Sequence, residues 1–446
     1  MPIATIILAA GQGSRMNSDL PKVLHKIAGV PMLGHVMASV AQIEADKTVV
    51  VVGHGAQQVA ALATDIDETV SVTQQDVQNG TGHAVLQASE LADFDGDIIV
   101  LYGDTPFIQP DTLTDMLTAR AAGNDVVVLG FEATNPGGYG RLIVTDNKLQ
   151  AIVEAKDCTE AQLAVSFCNS GVVCAPAALL FSLLGDVEAN NKNGEIYLTD
   201  IIAIANARGL TCAAIHCAEV ETMGVNSRQD LAVAEAAFQR QARAAAMENG
   251  VTMTAPETVF FAQDTVLGRD ITIEPNVFFG PDVTVENNVT LKAFSHLEGC
   301  HISEAAQIGP FARLRPGAEI GGDARIGNFV EIKAAQIDQG AKIGHLAYVG
   351  DAHIGEDTNI GAGVIFCNYD GVFKHKSTIG KNAFIGSNTA LVSPVVIGDN
   401  ALIGSGSVIT KDVPADALAV SRARQENKPG MGHRMMQRLR NLKAKK

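Results

Sequence analysis

The sequence predicts three successive architectures: a mostly parallel α/β domain, one helical arm and a parallel β-helix. Three observations predict them. Over residues 3–226, short β-rich runs alternate with helix-like segments, the pattern of a sheet with crossover helices. Residues 227–247 carry one apolar stripe at helical spacing. From residue 302 to about residue 413 an aliphatic side chain returns every six positions.

In the first part, β-rich runs fall at residues 5–8, 48–52, 97–101 and 125–129, with helix-like segments such as 31–43 and 111–121 between them. Ligands of such sheets bind at the carboxyl ends of the strands. The first run ends in Leu8-Ala9-Ala10-Gly11-Gln12-Gly13-Ser14-Arg15-Met16. Its two glycines let backbone N–H groups approach an anion. A dinucleotide fingerprint needs a small residue where Met16 stands, and the Gly-Lys-Ser/Thr ending of a P-loop is missing. Arg15, and Lys22 within Leu20-Pro21-Lys22-Val23-Leu24, are two cations suited to a triphosphate. The same residues also read as a solvated surface loop. Asp104 follows an apolar run, so it sits at the end of a strand. There it either binds Mg²⁺, which shares its shell with water and phosphate, or opens the turn before Pro106.

In the arm, Ser227 can cap the helix with Asp230 three residues on. Leu231, Ala234, Ala237, Phe238, Ala242 and Ala245 form the stripe, and Asn249-Gly250 ends it. Upstream, Thr199 or Asp200 is expected to cap a helix over residues 201–207.

The ladder begins loosely at Ile273, Phe279, Val285, Leu291 and Leu297. It is regular through Ile302, Ile308, Leu314, Ile320, Ile326 and Ile332. Five-residue steps lead to Ile337, Ile343 and Val349, then to Ile354, Ile360 and Phe366. After an insertion it resumes at Ile379, Ile385, Leu391, Ile397, Ile403 and Ile409. No helix has this period, but three strand–turn units make one coil of a β-helix. The aliphatic residue points inward. The Gly that often follows it, as at Gly309, Gly321, Gly327 and Gly344, is expected to take the strained turn conformation. A small or β-branched residue four places on, as at Ala324 and Thr358, packs beneath the next coil. Taken alone, such a repeat serves as an assembly scaffold or as a catalytic surface.

Register distinguishes these uses. Leu314 and Ile332 are eighteen apart, so they share a corner of adjacent coils. Arg315 and Lys333 then stack about 4.8 Å apart, which calls for an anion between them. Arg313 and Glu331 are expected to form a self-sufficient attractive pair. His345 points outward, with Asn328 one coil below and Ala362 one coil above. An outward imidazole beside a phosphate site is a candidate general base.

The remaining totals exclude several classes. A net charge of −16 argues against a nucleic-acid-binding body. That charge comprises +8 over residues 421–446 and −24 elsewhere. The seven Cys form no C-x-x-C pair, which fits reduced thiols in a cytosolic protein and neither a zinc site nor a disulfide framework. No stretch is long enough to span a membrane.

The Leu8-to-Met16 segment followed by Pro21-Lys22 resembles the opening motif of the nucleoside triphosphate:sugar-1-phosphate nucleotidyltransferases. Gln75, Gly80-Thr81-Gly82-His83 and Tyr102-Gly103-Asp104 follow in the order of that family. With the hexapeptide ladder behind them, nearly the whole chain resembles the bifunctional N-acetylglucosamine-1-phosphate uridyltransferases/glucosamine-1-phosphate acetyltransferases. The resemblance implies a Rossmann-like α/β nucleotidyltransferase domain over residues 1–226, a helical linker over 227–250, and a left-handed β-helix acetyltransferase domain with a basic tail over 251–446. It implies UTP and acetyl-CoA as co-substrates, Mg²⁺ on Asp104 and Asn226, and a homotrimer without nucleic-acid or membrane partners. Leu8, Ala9, Ala10, Gly11, Lys22, Gln75, Gly80, Thr81, Tyr102, Gly103 and Asp104 would meet UTP. Gly140, Glu154, Asn169 and Asn226 would meet the sugar side, with Arg15 and Lys22 catalytic. In the second half it implies His345 as the base, and Arg315, Lys333, Tyr348 and Asn359 as holders of the amino-sugar phosphate. Ala362, Asn368, Tyr369, Ser387, Ser405 and Arg422 fall to acetyl-CoA, although Ser405 stands where the family pattern has Ala. Asn368 and Tyr369 also match sugar-side positions. They lie in an insertion that, in the family, reaches a neighbouring subunit.

Overall fold

The strand Ile3–Ala9 has Asp97–Tyr102 on one side and Lys47–Val52 on the other, all parallel. The computed structural model in which this is seen describes residues 1–188 and 194–445. It divides into two compact units, Met1–Ala242 and Arg243–Lys446.

In the first unit the sheet runs in the order Cys212–Cys217, Val126–Glu132, Phe167–Pro176, Asp97–Tyr102, Ile3–Ala9, Lys47–Val52, Ser71–Gln74. Phe167–Pro176 is antiparallel to both neighbours. The central strands are mostly apolar because helices cover both faces. Chain order reverses between Ile3–Ala9 and its two neighbours, so their carboxyl ends diverge to leave a crevice.

The helix Arg228–Glu248 follows this sheet. Ser227 Oγ accepts from Asp230 N–H, and Asp230 Oδ2 accepts from Ser227 N–H, a reciprocal cap of the expected kind. Ala234 and Ala237 are buried against Ile27, Met32 and Phe107. The stripe stops short of its expected end, because Ala245 is exposed. The other expected cap is absent. Asp200 stands at the N-cap of Ile201–Ala207, but a 3₁₀ turn, Leu198–Asp200, precedes it and its side chain makes no cap hydrogen bond.

The second unit is a parallel β-helix. One face stacks strands from Thr252–Met253 to Leu418–Ala419, all in parallel register. Every aliphatic residue of the ladder from Ile302 to Ile409 is buried. The five-residue steps shorten a corner, so Glu331–Ile337 and Tyr348–Ile354 continue as single strands around it.

The ladder's glycines do a different task from the expected one. Of those following an aliphatic residue, Gly309 alone has positive φ. The left-handed corner is taken three residues after the aliphatic one, often by Asp or Asn, as at Asn276, Asp282 and Asp323. Gly327 is needed because a Cβ there would lie 1.9 Å from the Gly344 carbonyl oxygen on the next coil. At Gly361 the corresponding approach, to Ser387 N, is 2.6 Å. Close coil stacking, rather than strain, selects glycine there.

Candidate active sites

At the crevice of the first unit, Leu8 is in register with Tyr102, and Gly103 N–H donates to the Leu8 carbonyl at 2.9 Å. The Gly11–Met16 loop leaves the end of the first strand. Gly13 has φ 60°, and a Cβ there would lie 2.7 Å from Lys22 Cβ. The glycine thus lets the loop pack against the Lys22 turn. Arg228 Nε ties the same loop to the arm helix by donating to the Met16 carbonyl at 3.2 Å.

Two hollows meet here. One, of ≈ 330 Å³, is lined by Leu8, Ala9, Ala10, Gly11, Lys22, Gln75, Gly80, Thr81, Tyr102 and Asp104. The other, of ≈ 440 Å³, is lined by Thr81, Tyr102, Asp104, Glu154, Asn169 and Asn226 among others. Thr81, Tyr102 and Asp104 are common to both, so they form the threshold between the two spaces. Burial pushes the Tyr102 phenol up to about 12, with the Asp104 charge adding and a Thr81 hydrogen bond opposing. Tyr102 therefore stays protonated.

Lys22 Nζ pairs with Asp104 and lies 3.3 Å from Asn226 Oδ1. Two oxygens from distant parts of the chain therefore converge on one cation. Gln75 donates its amide nitrogen to the Gly80 carbonyl at 3.2 Å and to His83 Nδ1 at 3.0 Å. Gly140 accepts from Asn169 N–H at 2.8 Å and lies beside Glu154. Arg15 is exposed on the turn Ser14–Met16 and lines neither hollow.

In the second unit, Asn328 and His345 are register partners, and His345 is exposed. Asn328 Oδ1 lies 2.5 Å from His345 Nδ1. The amide oxygen only accepts, so the proton sits on Nδ1 and Nε2 keeps a free lone pair. Register carries the row upward. Ile343 pairs with Ile360, Ile360 with Ile385, and Ile385 with Ile403. Ala362, Ser387 and Ser405, each two residues on, therefore stack above His345. Arg422 Nη1 donates to the Ser405 carbonyl at 2.6 Å at the top of this row.

The cation pair needs a correction. Arg313 and Glu331 are register partners as counted, but Arg313 forms no ion pair among the described residues. Glu331 Oε1 instead accepts from Arg315 Nη1 at 2.8 Å. Arg315 leaves its strand at the corner, and its long side chain reaches the diagonal carboxylate. Lys333 Nζ lies 3.9 Å from Asp351 Oδ2, which also accepts from Asn368. Lys374 joins them. A hydrogen bond and the charge of Lys333 lower its pKa. Arg315 thus pairs with Glu331, while Lys333 and Lys374 both feel Asp351. Tyr348 and Asn359 belong to different faces of the β-helix. Tyr369 is exposed on the insertion and donates to the Gly371 carbonyl at 2.6 Å.

The chain's relatives agree along its whole length. The MobA-like NTP transferase domain model matches residues 5–186, and the bacterial transferase hexapeptide model matches residues 299–334 and 376–411. The Bifunctional protein GlmU of Cereibacter sphaeroides (strain ATCC 17025 / ATH 2.4.3) is 59% identical over 98% of this chain and 96% of its own. That of Roseobacter denitrificans is 57% identical over 100% and 99%, respectively. That of Jannaschia sp. (strain CCS1) is 55% identical over 100% and 98%.

The chain belongs to the GlmU family.

It is therefore a bifunctional enzyme, an acetyltransferase and uridyltransferase that makes UDP-N-acetylglucosamine, a precursor for the cell wall. Three residues of this GlmU-family chain gain contacts that the sequence did not give them, although Arg141 belongs to the Gly138-Tyr139-Gly140-Arg141 motif that matches sugar-side positions of the family. Lys374 had a signal, the Lys-His-Lys of the insertion, but no register to fix it. Gly171 had none. Its φ is 90°, and a Cβ there would lie 2.7 Å from the Tyr102 ring. Arg141 is buried and donates to the carbonyls of Pro136, Gly137 and Tyr139, which shapes the loop ahead of Gly140.

Proposed function

We propose that the two reactions are divided between the two units, and that the residues gathered above carry them. In the β-helix, the amine of glucosamine-1-phosphate attacks the thioester carbonyl of acetyl-CoA. His345 Nε2 takes the amine proton and the thiolate leaves. Arg315, Lys333 and Lys374 hold the phosphate, with Tyr348 and Asn359 on the sugar. Ala362, Asn368, Tyr369, Ser387, Ser405 and Arg422 receive acetyl-CoA. The observation that carries this reading is the His345 row, whose Nδ1 is held by Asn328 so that the outer nitrogen is a free base.

In the α/β unit, a phosphate oxygen of N-acetylglucosamine-1-phosphate attacks the α-phosphorus of UTP, and pyrophosphate leaves. Lys22 and Arg15 offset the negative charge that develops, and Gln75 faces the base. Leu8–Gly11, Gly80, Thr81, Tyr102 and Gly103 line the nucleotide side, and Gly140, Glu154 and Asn169 the sugar side. The donor set at Asp104 and Asn226 fits Mg²⁺. Two oxygens already surround a cation, and this metal asks for few protein ligands when phosphates and water complete its shell. When bound, the ion would supply charge neutralisation for the phosphates.

A homotrimer accounts for the placement of Tyr348 and Asn359 on different faces, since a second copy can bring the missing face to each site. A cytoplasmic location fits seven free thiols. Sedimentation of the purified protein tests the trimer. Free thiol released from acetyl-CoA and glucosamine-1-phosphate tests the first reaction, and pyrophosphate from UTP and N-acetylglucosamine-1-phosphate the second. A chelator should stop pyrophosphate release and spare thiol release. Arrest of both by the chelator would contradict the division.

A further inference from the structure

Gln75 is 4% exposed, and its amide is more constrained than a base-reading glutamine needs to be. The Gly80 carbonyl can only accept, so it fixes which side of the amide is nitrogen. The second N–H points to His83 Nδ1 at 3.0 Å. For that nitrogen to accept, His83 must be neutral with its proton on Nε2. Gln87 approaches the same ring, but its amide nitrogen is held by the His83 carbonyl at 3.0 Å, closer than the 3.3 Å to Nε2. Both donors of the Gln75 amide are therefore engaged inside the protein. Its oxygen is the group left for a ligand in the hollow that Gln75 and Gly80 line.

We propose that His83 is a positioning residue for base selection. By holding the second N–H of Gln75, it presents an acceptor alone to the pyrimidine, so that the pocket takes uracil and rejects cytosine. This rests on the reading that Gln75 faces the base. Uracil offers an N3–H donor to that oxygen. Cytosine offers a lone pair at N3, and two acceptors facing each other repel. Without His83 the amide loses one of its two anchors and can turn to offer a donor.

The test compares UTP with CTP as substrates for pyrophosphate release in the wild type, His83→Ala, His83→Asn and Gln75→Ala. The kcat/KM ratio of UTP over CTP should fall about tenfold in His83→Ala, chiefly through a higher KM for UTP. His83→Asn, whose side-chain oxygen can accept where Nδ1 does, should keep the ratio within about threefold of wild type. A thermal melt followed by circular dichroism reports that the first unit of each variant is folded. If His83→Ala keeps the wild-type ratio while Gln75→Ala lowers it, the role of His83 is overturned and that of Gln75 stands. If Gln75→Ala also keeps the ratio, the reading of Gln75 falls and this inference with it. If His83→Ala does not fold, a lowered ratio in folded His83→Asn overturns the proposal, and a preserved ratio supports it.

Discussion

Asn328 stands one coil below His345, and its Oδ1 lies 2.5 Å from His345 Nδ1. This pair turns an exposed histidine into a base with a defined tautomer. Replacing Asn328 with Ala should leave the protein folded, because the side chain is only partly buried and its coil neighbours are intact. The kcat of acetyl transfer should fall about tenfold, as expected when an imidazole loses the partner that selects its protonated nitrogen. Uridylyl transfer should not change. Steady-state thiol and pyrophosphate assays on the same preparation check both statements.

The Arg315–Glu331 and Lys333–Asp351 pairs predict where phosphate affinity resides. Lys333→Ala should raise the KM for glucosamine-1-phosphate about tenfold with a smaller effect on kcat, the pattern of a lost ground-state contact. Arg313→Ala should leave both constants near wild type, since Arg313 forms no ion pair among the described residues. An equal effect of the two substitutions would contradict the absence of Arg313 from this charge cluster.

Two glycines on adjacent coils give a sharp contrast in stability. A Cβ at Gly327 would lie 1.9 Å from the Gly344 carbonyl oxygen, whereas a Cβ at Gly344 meets nothing within 4 Å. Gly327→Ala should destabilise the β-helix by about 1–3 kcal/mol, in the range of overpacking, because the obstacle is backbone. Gly344→Ala should be neutral or slightly stabilising, since alanine narrows the unfolded ensemble. Thermal melts of the two variants decide this.

These cases show what could be read from the chain before its fold was known. The six-residue period located every buried ladder residue, because an inward position in a β-helix tolerates little but aliphatic side chains. The same count placed Asn328 beside His345, because register in a solenoid is arithmetic. It did not place Arg315 beside Glu331, since a long side chain at a corner chooses its own diagonal partner. The ladder's glycines depart from expectation for a related reason. Sequence shows that a Cβ is absent, but not whether φ or a neighbouring coil excludes it. In the α/β unit, the loop motif was legible, while Gly171 beneath Tyr102 and the convergence of Lys22 with Asn226 depend on contacts between distant segments.

Asp370 organises the insertion. It accepts from His375 Nε2, Phe373 N–H and Val372 N–H, and these bonds, the His375 one foremost, hold its carboxyl down at about 2 against an ordinary value of 3.8. A carboxylate whose pKa is depressed on folding contributes order above its ordinary pKa and loses it as pH falls through the folded value. The insertion should therefore loosen between about pH 4 and pH 2. Asp370→Asn should loosen it at neutral pH. Faster hydrogen exchange at Val372 and Phe373 reports either event, and unchanged exchange in Asp370→Asn would remove Asp370 from this role.

The central claim is that one chain holds two separable chemistries, with His345 serving only the second unit. His345→Ala, assayed in one preparation for both products, tests it most directly. The account predicts that thiol release from acetyl-CoA and glucosamine-1-phosphate is lost while pyrophosphate release from UTP and N-acetylglucosamine-1-phosphate stays at the wild-type rate. Persistent thiol release, or an equal fall of both activities in a folded protein, would contradict it.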